Sequence, residues 1–133
     1  MSSPSDVAIR SDLDIVLART AARDMAKQLG FGAIDQARVA TAVSELARNI
    51  FLYAGSGTVS VHTLNWQGRC GIEIICQDQG PGIADIPLVM QDGYSTSRGM
   101  GMGLPGAKRL MDEFDLRSQA GVGTTVICRK WRR

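Results

Sequence analysis

The chain has 133 residues, the size of one domain, and we expect a single domain over residues 1–133. Apolar residues make up 44% and charged residues 21%, which is typical of a globular protein and excludes disordered and collagen-like chains. The 15 Lys and Arg residues against 13 Asp and Glu residues leave a net charge of +2. That charge is too small to indicate nucleic-acid binding, although residues 129–133 form a basic tip.

Cysteine content and hydropathy exclude further classes. The 3 cysteines have neither a CxxC pair nor the spacing of a zinc site, and an odd number cannot form a complete set of disulfides, so we expect reduced thiols. The longest apolar run, Ile50–Ala54, is far shorter than the roughly 18 residues of a membrane span. The N-terminus lacks the basic and apolar regions of a secretory signal. We therefore expect a cytoplasmic protein without membrane association.

The first elements are a strand and a helix. Alternating apolar residues predict a short strand over residues 5–10, and Ser11 or Asp12 is the predicted cap of a helix that Gly30 ends. The predicted core stripe of this helix comprises Leu13, Val16, Leu17, Ala21, Met25 and Leu29.

The remaining elements place a second helix before a series of strands. Asp35 is predicted to cap this longer helix, which ends at Gly55. Strands are predicted at about 58–66, 71–78, 114–119 and 124–131, and a short helix at about 104–112. Between them lies a long glycine-punctuated stretch from Gln79 to Gly103. Early helices and late antiparallel strands predict an α+β fold, with one sheet and helices on one of its faces.

The second helix carries two candidate catalytic residues. At about 100° per residue, its predicted core stripe is Val39, Val43, Leu46, Ile50 and Tyr53. Glu45 and Asn49 lie one turn apart on the flank of this stripe, whereas Arg48 points outward. A carboxylate and an amide beside the core would line the wall of a cleft. The alternative interpretation is a solvated helix flank.

A strand that ends in Asp78 runs into Gly80-Pro81-Gly82. This arrangement places one carboxylate at the end of the sheet, beside backbone that another group can approach closely. It suits a planar ligand whose exocyclic amine donates to the carboxylate, such as adenine. The alternative is a tight turn in which Asp78 accepts backbone N–H bonds.

Alternate glycines precede the short helix in the run Arg98-Gly99-Met100-Gly101-Met102-Gly103-Leu104. Their unshielded N–H groups and the positive end of the helix behind them favour phosphate binding, although the spacing matches neither a Walker A loop nor a Rossmann fingerprint. The small polar residues 94–97 before them are typical of a mobile lid, which we expect a bound nucleotide to order. Thr124 begins the last strand, either as part of an ordinary hairpin or with its hydroxyl toward the nucleotide.

These four pieces, in this order, resemble the boxes of the GHKL ATPase superfamily, which includes gyrase, histidine kinases and MutL. The matching segments are Glu45-x-x-x-Asn49 for the N-box, Asp78-x-Gly80-x-Gly82 for the adenine box, Gly99-x-Gly101-x-Gly103-Leu104 for the lid box and Gly123-Thr124 for the last box. The match covers about residues 6–131. It implies the Bergerat ATP-binding fold, an α+β two-layer sandwich of a mixed, mostly antiparallel sheet with helices on one face.

A narrower resemblance concerns residues 35–50, which are similar to those of the anti-sigma-factor kinases and, within them, the RsbT-like switch kinases of bacterial stressosomes. The single histidine, His62, lies within a predicted strand, so the phospho-accepting helix pair of histidine kinases has no counterpart here. The resemblance implies a serine/threonine protein kinase that uses ATP and Mg²⁺. Its implied partners are STAS-domain antagonists, which it phosphorylates, and a PP2C-type phosphatase, which it then activates.

The resemblance also implies a role for each site residue. Glu45 is the general base, Asn49 ligates Mg²⁺, and Asp78 selects adenine beside Gly80 and Gly82. The residues implied to surround the phosphates are Arg98, Gly99, Met100, Gly101, Gly103, Leu104 and Thr124.

Three functions stay open at this point. The first is the switch kinase. The second is an anti-sigma factor that sequesters a sigma subunit with the same fold. The third is a nucleotide-dependent binding module with a silent kinase site, which the presence of Glu45 disfavours because a pure binder needs no base.

Overall fold

A computed structural model describes residues 5–84, 86–90 and 103–133 of the chain. In chain order, the elements are β1 (Ser5–Ile9), α1 (Asp12–Gln28), α2 (Ala33–Asn49), a π-helical segment (Ile50–Ala54), β2 (Gly57–Trp66), β3 (Arg69–Asp78), α3 (Ile86–Val89), α4 (Gly103–Leu110), β4 (Glu113–Gln119) and β5 (Gly123–Trp131). The one-turn helix α3 lies within the glycine-punctuated stretch from Gln79 to Gly103. No helix in the described ranges is long and apolar enough to cross a membrane.

The five strands form one sheet in the order β1-β2-β3-β5-β4. Every strand pair in the described ranges is antiparallel, whereas we expected a mixed sheet in which most pairs are antiparallel. At one end, Asp78 pairs with both Gly57 and Thr124; at the other, Trp66 pairs with Arg69. We call these the Asp78 end and the Trp66 end of the sheet.

Helices cover one face of this sheet, which confirms the predicted α+β architecture. Along each strand, one set of alternating side chains points to the helices and the other to the outer face, as the two-residue period of a strand requires. The largest fully buried side chains are Ile9, Leu46, Ile72, Ile74, Val39, Val43, Val59, Val61 and Cys128. They come from both layers, so the core lies between the helices and the sheet.

Helix α1 packs through small residues instead of the large apolar residues predicted to form its stripe. Its buried residues are Ile15, Ala18, Ala22 and Ala26. Leu13, Val16 and Leu17 are between 41% and 66% exposed, whereas Met25 and Leu29 pack partly against the core. The predicted stripe is therefore wrong at its first three positions. Alanines let a helix approach its neighbours closely, and hydrophobicity alone does not reveal that preference.

Helix α2 begins earlier than predicted. It starts at Ala33, after Gly32 with an extended backbone, so Asp35 lies in the first turn instead of capping the helix. The Asp35 carboxylate accepts a hydrogen bond from Arg38 at 3.0 Å and lies 3.8 Å from the ammonium of Lys130. An acidic side chain in the first turn is favourable because the helix dipole is positive there.

The end of the second helix confirms one prediction and overturns another. The Gly55 N–H donates to the Ile50 carbonyl at 3.0 Å, with φ of +83° at Gly55, so the helix ends there as predicted. That bond spans five residues, as in a π-helix, which advances the later side chains by less than 100° each. Tyr53, predicted to lie in the core stripe, is therefore 44% exposed.

Candidate functional site

Four elements converge at the Asp78 end of the sheet. Helix α2 and strand β3 end there, whereas β5 and α4 begin there. Gly57 lies at the centre of this junction, because a Cβ atom on it would be 2.7 Å from Cγ2 of Ile50 and 3.1 Å from Cβ of Asp78. The residue next to Ile50 is Asn49. The fold thus brings the end of the second helix beside the end of the third strand.

Glu45 and Asn49 lie on the last two turns of α2, where both side chains are half-buried. The Glu45 side chain is 11% exposed, and its carboxylate is 3.9 Å from the Arg48 guanidinium. Arg48, predicted to point straight outward, is itself half-buried, because its long side chain folds back toward that carboxylate. No described residue forms a hydrogen bond with the Asn49 side chain.

Asp78 is held in a defined orientation by the turn that follows it. Its Oδ1 accepts the backbone N–H of Gly80 at 2.9 Å, which is the tight-turn interaction that we considered as an alternative. No described residue donates to the second oxygen, Oδ2. The turn and a ligand therefore do not compete for the same carboxylate oxygen.

Gly80 and Gly82 are required by close contacts with the protein itself. A Cβ on Gly80 would lie 2.5 Å from Cβ of Ala54, and one on Gly82 would lie 2.2 Å from the Gln119 carbonyl oxygen. Gly82 also has φ of +74°, which favours glycine. The two glycines pack the loop after β3 between the π-helical segment and the β4–β5 turn. This packing is what places the loop beside Asp78.

Thr124 lies directly across the sheet from Asp78, with its side chain on the same face. Its hydroxyl is 2.8 Å from the hydroxyl of Ser118, a residue that the sequence analysis did not single out. Ser118 also accepts the N–H of Ile83 at 2.7 Å and lies 3.1 Å from the carbonyl of Gly123. Ser118 thus joins β4, β5 and the glycine loop. A serine at the end of a strand before a glycine turn is common, so the sequence alone does not mark Ser118 as a site residue.

Helix α4 begins at Gly103 with φ of +47° and packs against α2. The carbonyl of Leu110, the last residue of α4, accepts a hydrogen bond from Lys130 near the Trp66 end, so Gly103 and the half-buried Leu104 lie on the part of the helix towards the Asp78 end. Arg98, Gly99, Met100 and Gly101 lie outside the described residues, and their role stays a prediction.

The surroundings of Asp78 are polar and open. A depression of about 850 Å³ at this end is lined by Asp78, Ser118 and Thr124 together with outer-face residues such as Gln77 and Thr125, and its described lining does not include Glu45 or Asn49. Beneath Asp78, burial raises the pKa of the Cys76 thiol well above its usual value, and the nearby Cys128 and the Asp78 carboxylate raise it further. The thiol therefore stays protonated and does not act as a nucleophile.

Comparisons with known proteins agree with this geometry. The family of histidine kinase-, DNA gyrase B- and HSP90-like ATPases matches residues 34–132. The serine/threonine-protein kinase RsbT of Bacillus subtilis is 56% identical over 133 residues, which is 100% of both chains. The anti-sigma F factor of Caldanaerobacter subterraneus subsp. tengcongensis is 32% identical over 120 residues, covering 86% of this chain and 82% of the relative.

Two solved structures share the fold at low sequence identity. The RsbU and RsbW domains of a Mycobacterium tuberculosis protein match with a TM-score of 0.67 and 18% identity, over 99% of this chain and 33% of that one. A mycobacterial sensor histidine kinase, MprB, matches with a TM-score of 0.55 and 18% identity, over 100% and 99% of the two chains. The chain therefore belongs to the histidine kinase-, DNA gyrase B- and HSP90-like ATPase family, the GHKL superfamily. Within that family, it is an ATP-binding protein kinase.

Proposed function

We propose that this chain is a single-domain, cytoplasmic serine/threonine kinase that uses Mg-ATP to phosphorylate a STAS-domain antagonist protein of a stressosome. The kinase, once released, then activates a PP2C-type phosphatase. The observation that carries the proposal is the Glu45 carboxylate one turn before Asn49, half-buried where α2 meets the Asp78 end of the sheet. The full-length similarity to a serine/threonine-protein kinase supports it.

The proposed reaction is a transfer of the terminal phosphoryl group of ATP. The Glu45 carboxylate accepts the proton of a serine or threonine hydroxyl as the hydroxyl oxygen bonds to the γ-phosphorus. The bond between that phosphorus and the bridging oxygen of the β-phosphate breaks, and ADP leaves. Positioning accounts for most of such a reaction, and a base on a rigid helix satisfies that requirement.

Asn49 is the proposed protein ligand of Mg²⁺. Its amide oxygen is a hard donor of the kind that this ion prefers, and no described residue occupies it. The described ranges contain no cluster of three or more His, Cys, Asp or Glu side chains that could hold a metal ion. A single amide oxygen from Asn49 fits an Mg²⁺ ion that is held by one or two protein oxygens together with nucleotide phosphates. When bound, Mg²⁺ would neutralise charge on those phosphates.

Asp78 is the proposed adenine-selecting residue, through the oxygen that the Gly80 turn leaves free. Gly80 and Gly82 support its position, and Thr124 extends the same polar wall. The phosphates would lie against the start of α4 at Gly103, together with Leu104. The remaining proposed contacts come from Arg98, Gly99, Met100 and Gly101.

The test separates chemistry from binding. Glu45→Ala should retain ATP affinity while lowering phosphoryl transfer to a purified STAS-domain protein by about 10²- to 10⁴-fold. Glu73→Gln is the control, because it removes a carboxylate from the outer face of the sheet. Transfer of radiolabelled phosphate and calorimetric ATP binding are both measured. Transfer at the wild-type rate by Glu45→Ala would exclude Glu45 as the base.

A second candidate function is sequestration of a sigma subunit. The 32% identical anti-sigma F factors favour it, because they share the fold over most of this chain. A pull-down with purified sigma subunit and purified STAS-domain protein distinguishes the two candidates. Retention of the STAS protein alone supports the switch kinase, whereas retention of the sigma subunit supports the anti-sigma factor.

A further inference from the structure

The Trp66 end of the sheet carries an aromatic surface that the proposed reaction does not use. The surface consists of Trp66, Arg69 and Trp131, and we refer to it as the tryptophan surface. The two indole rings lie 6.5 Å apart between centroids, and they are the only 2 tryptophans in the chain. Trp66 remains 56% exposed, which is unusual for the largest apolar side chain.

The base of the tryptophan surface is rigid. Trp131 is 7% exposed and packs on Gly71, where a Cβ atom would lie 2.7 Å from its ring. Its Nε1–H donates to the Glu113 carboxylate at 2.8 Å, and its backbone N–H donates to Asp112 at 2.8 Å. A preorganised aromatic base lowers the conformational entropy that binding would cost.

The guanidinium of Arg69 lies over this base. Its guanidinium carbon is 4.7 Å from the centroid of the Trp131 ring, a cation–π arrangement. Among the described residues, no carboxylate forms a salt bridge with Arg69. The nearby Glu113 is already shared by Trp131 and Arg129. The guanidinium is therefore oriented and available to a carboxylate from another molecule.

Positive charge exceeds negative charge at this end. The cations are Arg69, Arg129, Lys130, Arg132 and Arg133, and the carboxylates are Asp35, Glu73, Asp112 and Glu113. Exposed tryptophan and arginine side chains are the residue types most enriched among those that dominate protein interfaces. Burial of the remaining part of Trp66 would remove roughly 100 Å² of indole from water.

The tryptophan surface is remote from the phosphoryl-transfer site. Arg69 and Asp78 are the two ends of β3, nine steps apart, which corresponds to roughly 30 Å. The acceptor hydroxyl of a substrate must reach Glu45 at the Asp78 end. The two sites also lie on opposite faces of the sheet, because Asp78 shares the helix-facing side of β3 with the buried Ile72, whereas Arg69 is three residues from Ile72. A partner that is not phosphorylated has no such constraint.

We infer that the tryptophan surface docks an acidic segment of the phosphatase partner, with an apolar side chain against Trp66 and a carboxylate on Arg69. This inference rests on the proposed function for the identity of the partner. Charge complementarity selects the acidic segment, and separation from the substrate site selects the phosphatase over the STAS-domain protein. Nucleotide and phosphatase would then bind at opposite ends of one sheet.

The two tryptophans permit a direct test by fluorine NMR. The full chain, labelled with 5-fluorotryptophan, is titrated with unlabelled PP2C-type phosphatase in the presence and absence of a non-hydrolysable ATP analogue. We expect saturable shifts or broadening of the Trp66 signal in both cases. Arg69→Glu should weaken phosphatase binding and activation at least 10-fold, whereas Arg23→Glu, a charge reversal on the exposed side of α1, should not.

Two controls separate this inference from the proposed function. A wild-type urea midpoint shows that Arg69→Glu is folded, and transfer to the STAS-domain protein should continue at the wild-type rate. Wild-type phosphatase affinity in both Arg69→Glu and Trp66→Ala would overturn the inference while leaving the kinase assignment intact. A Trp66 signal that responds instead to the STAS-domain protein, to phosphatidylglycerol vesicles or to duplex DNA would also overturn it. Absence of phosphoryl transfer by the wild type would overturn the proposed function.

Discussion

Replacement of Asp78 by asparagine should reverse the base preference of the nucleotide site. In the native chain, Oδ1 accepts the Gly80 N–H at 2.9 Å, and no described residue donates to Oδ2. In Asp78→Asn, only the amide oxygen can accept that N–H, so the Nδ2 group takes the position of Oδ2. A donor would then face the 6-amine of adenine, which is also a donor.

The magnitude follows from the two lost interactions. A hydrogen bond to a charged group contributes about 1.5–3 kcal/mol, and an unpaired buried donor costs about 1–3 kcal/mol. Their sum, about 2.5–6 kcal/mol, corresponds to a roughly 10²- to 10⁴-fold weaker Kd for ATP. Inosine triphosphate carries an oxygen in place of the amine, so it should bind the variant better than ATP does. Tripolyphosphate affinity should not change.

Isothermal calorimetry with the three ligands, at constant Mg²⁺ concentration, measures this reversal. Asp24→Asn is the matched control, because Asp24 is exposed on α1. It should leave all three affinities unchanged. If Asp78→Asn still prefers ATP to inosine triphosphate, the carboxylate serves only the Gly80 turn, and the adenine site lies elsewhere.

Three further predictions concern stability and reactivity. Lys130 is 4% exposed and donates to the Leu110 carbonyl at 2.9 Å. Lys130→Met should therefore lower the free energy of unfolding, measured in urea, by about 1–3 kcal/mol. An unchanged urea midpoint would contradict this prediction. A hydrogen bond from the Trp131 indole lowers the pKa of Glu113 from its usual 4.5. The ionised Glu113 therefore stabilises the folded protein above pH 4.5, and this stabilisation is lost as the pH falls through the lower pKa of the folded state. Glu113→Gln should therefore destabilise the protein at pH 7 and progressively less in urea titrations below about pH 4; an equal loss at both pH values would show that the effect is packing. Burial raises the pKa of the Cys128 thiol to about 12, and it also raises the pKa of the Cys76 thiol. Iodoacetamide at pH 8 should therefore modify Cys70 alone in the native chain and all 3 cysteines in urea, and mass spectrometry measures the modification.

Local features of this protein could be predicted from its sequence alone. The strand–helix–helix–hairpin order and the helix end at Gly55 follow from periodicity and from glycine placement, which depend on neighbouring residues. The spacing of Glu45 and Asn49, one turn apart on a flank of α2, is likewise a property of a single helix. The N-box resemblance rests on that same local spacing.

Features that depend on packing between elements could not be predicted in this way. The predicted core stripe of α1 is wrong because the alanines of this helix contact α2 and the sheet. Only the assembled layers show which side of the helix lies so close to its neighbours that small residues are needed there. Tyr53 was misplaced because a π-helical segment, which fits the chain around Gly57, changes the rotation per residue.

The site itself depends on pairing between distant strands. Asp78 faces Thr124 because β3 pairs with β5 in one register, and a shift of one residue would turn either side chain to the other face. Ser118 joins that pair for the same reason, and Trp131 meets Trp66 at the opposite end of the sheet. Residue spacing within one element is set by local backbone geometry and can be read from the sequence. Register between strands is set by the burial of one whole face, which only the tertiary structure decides.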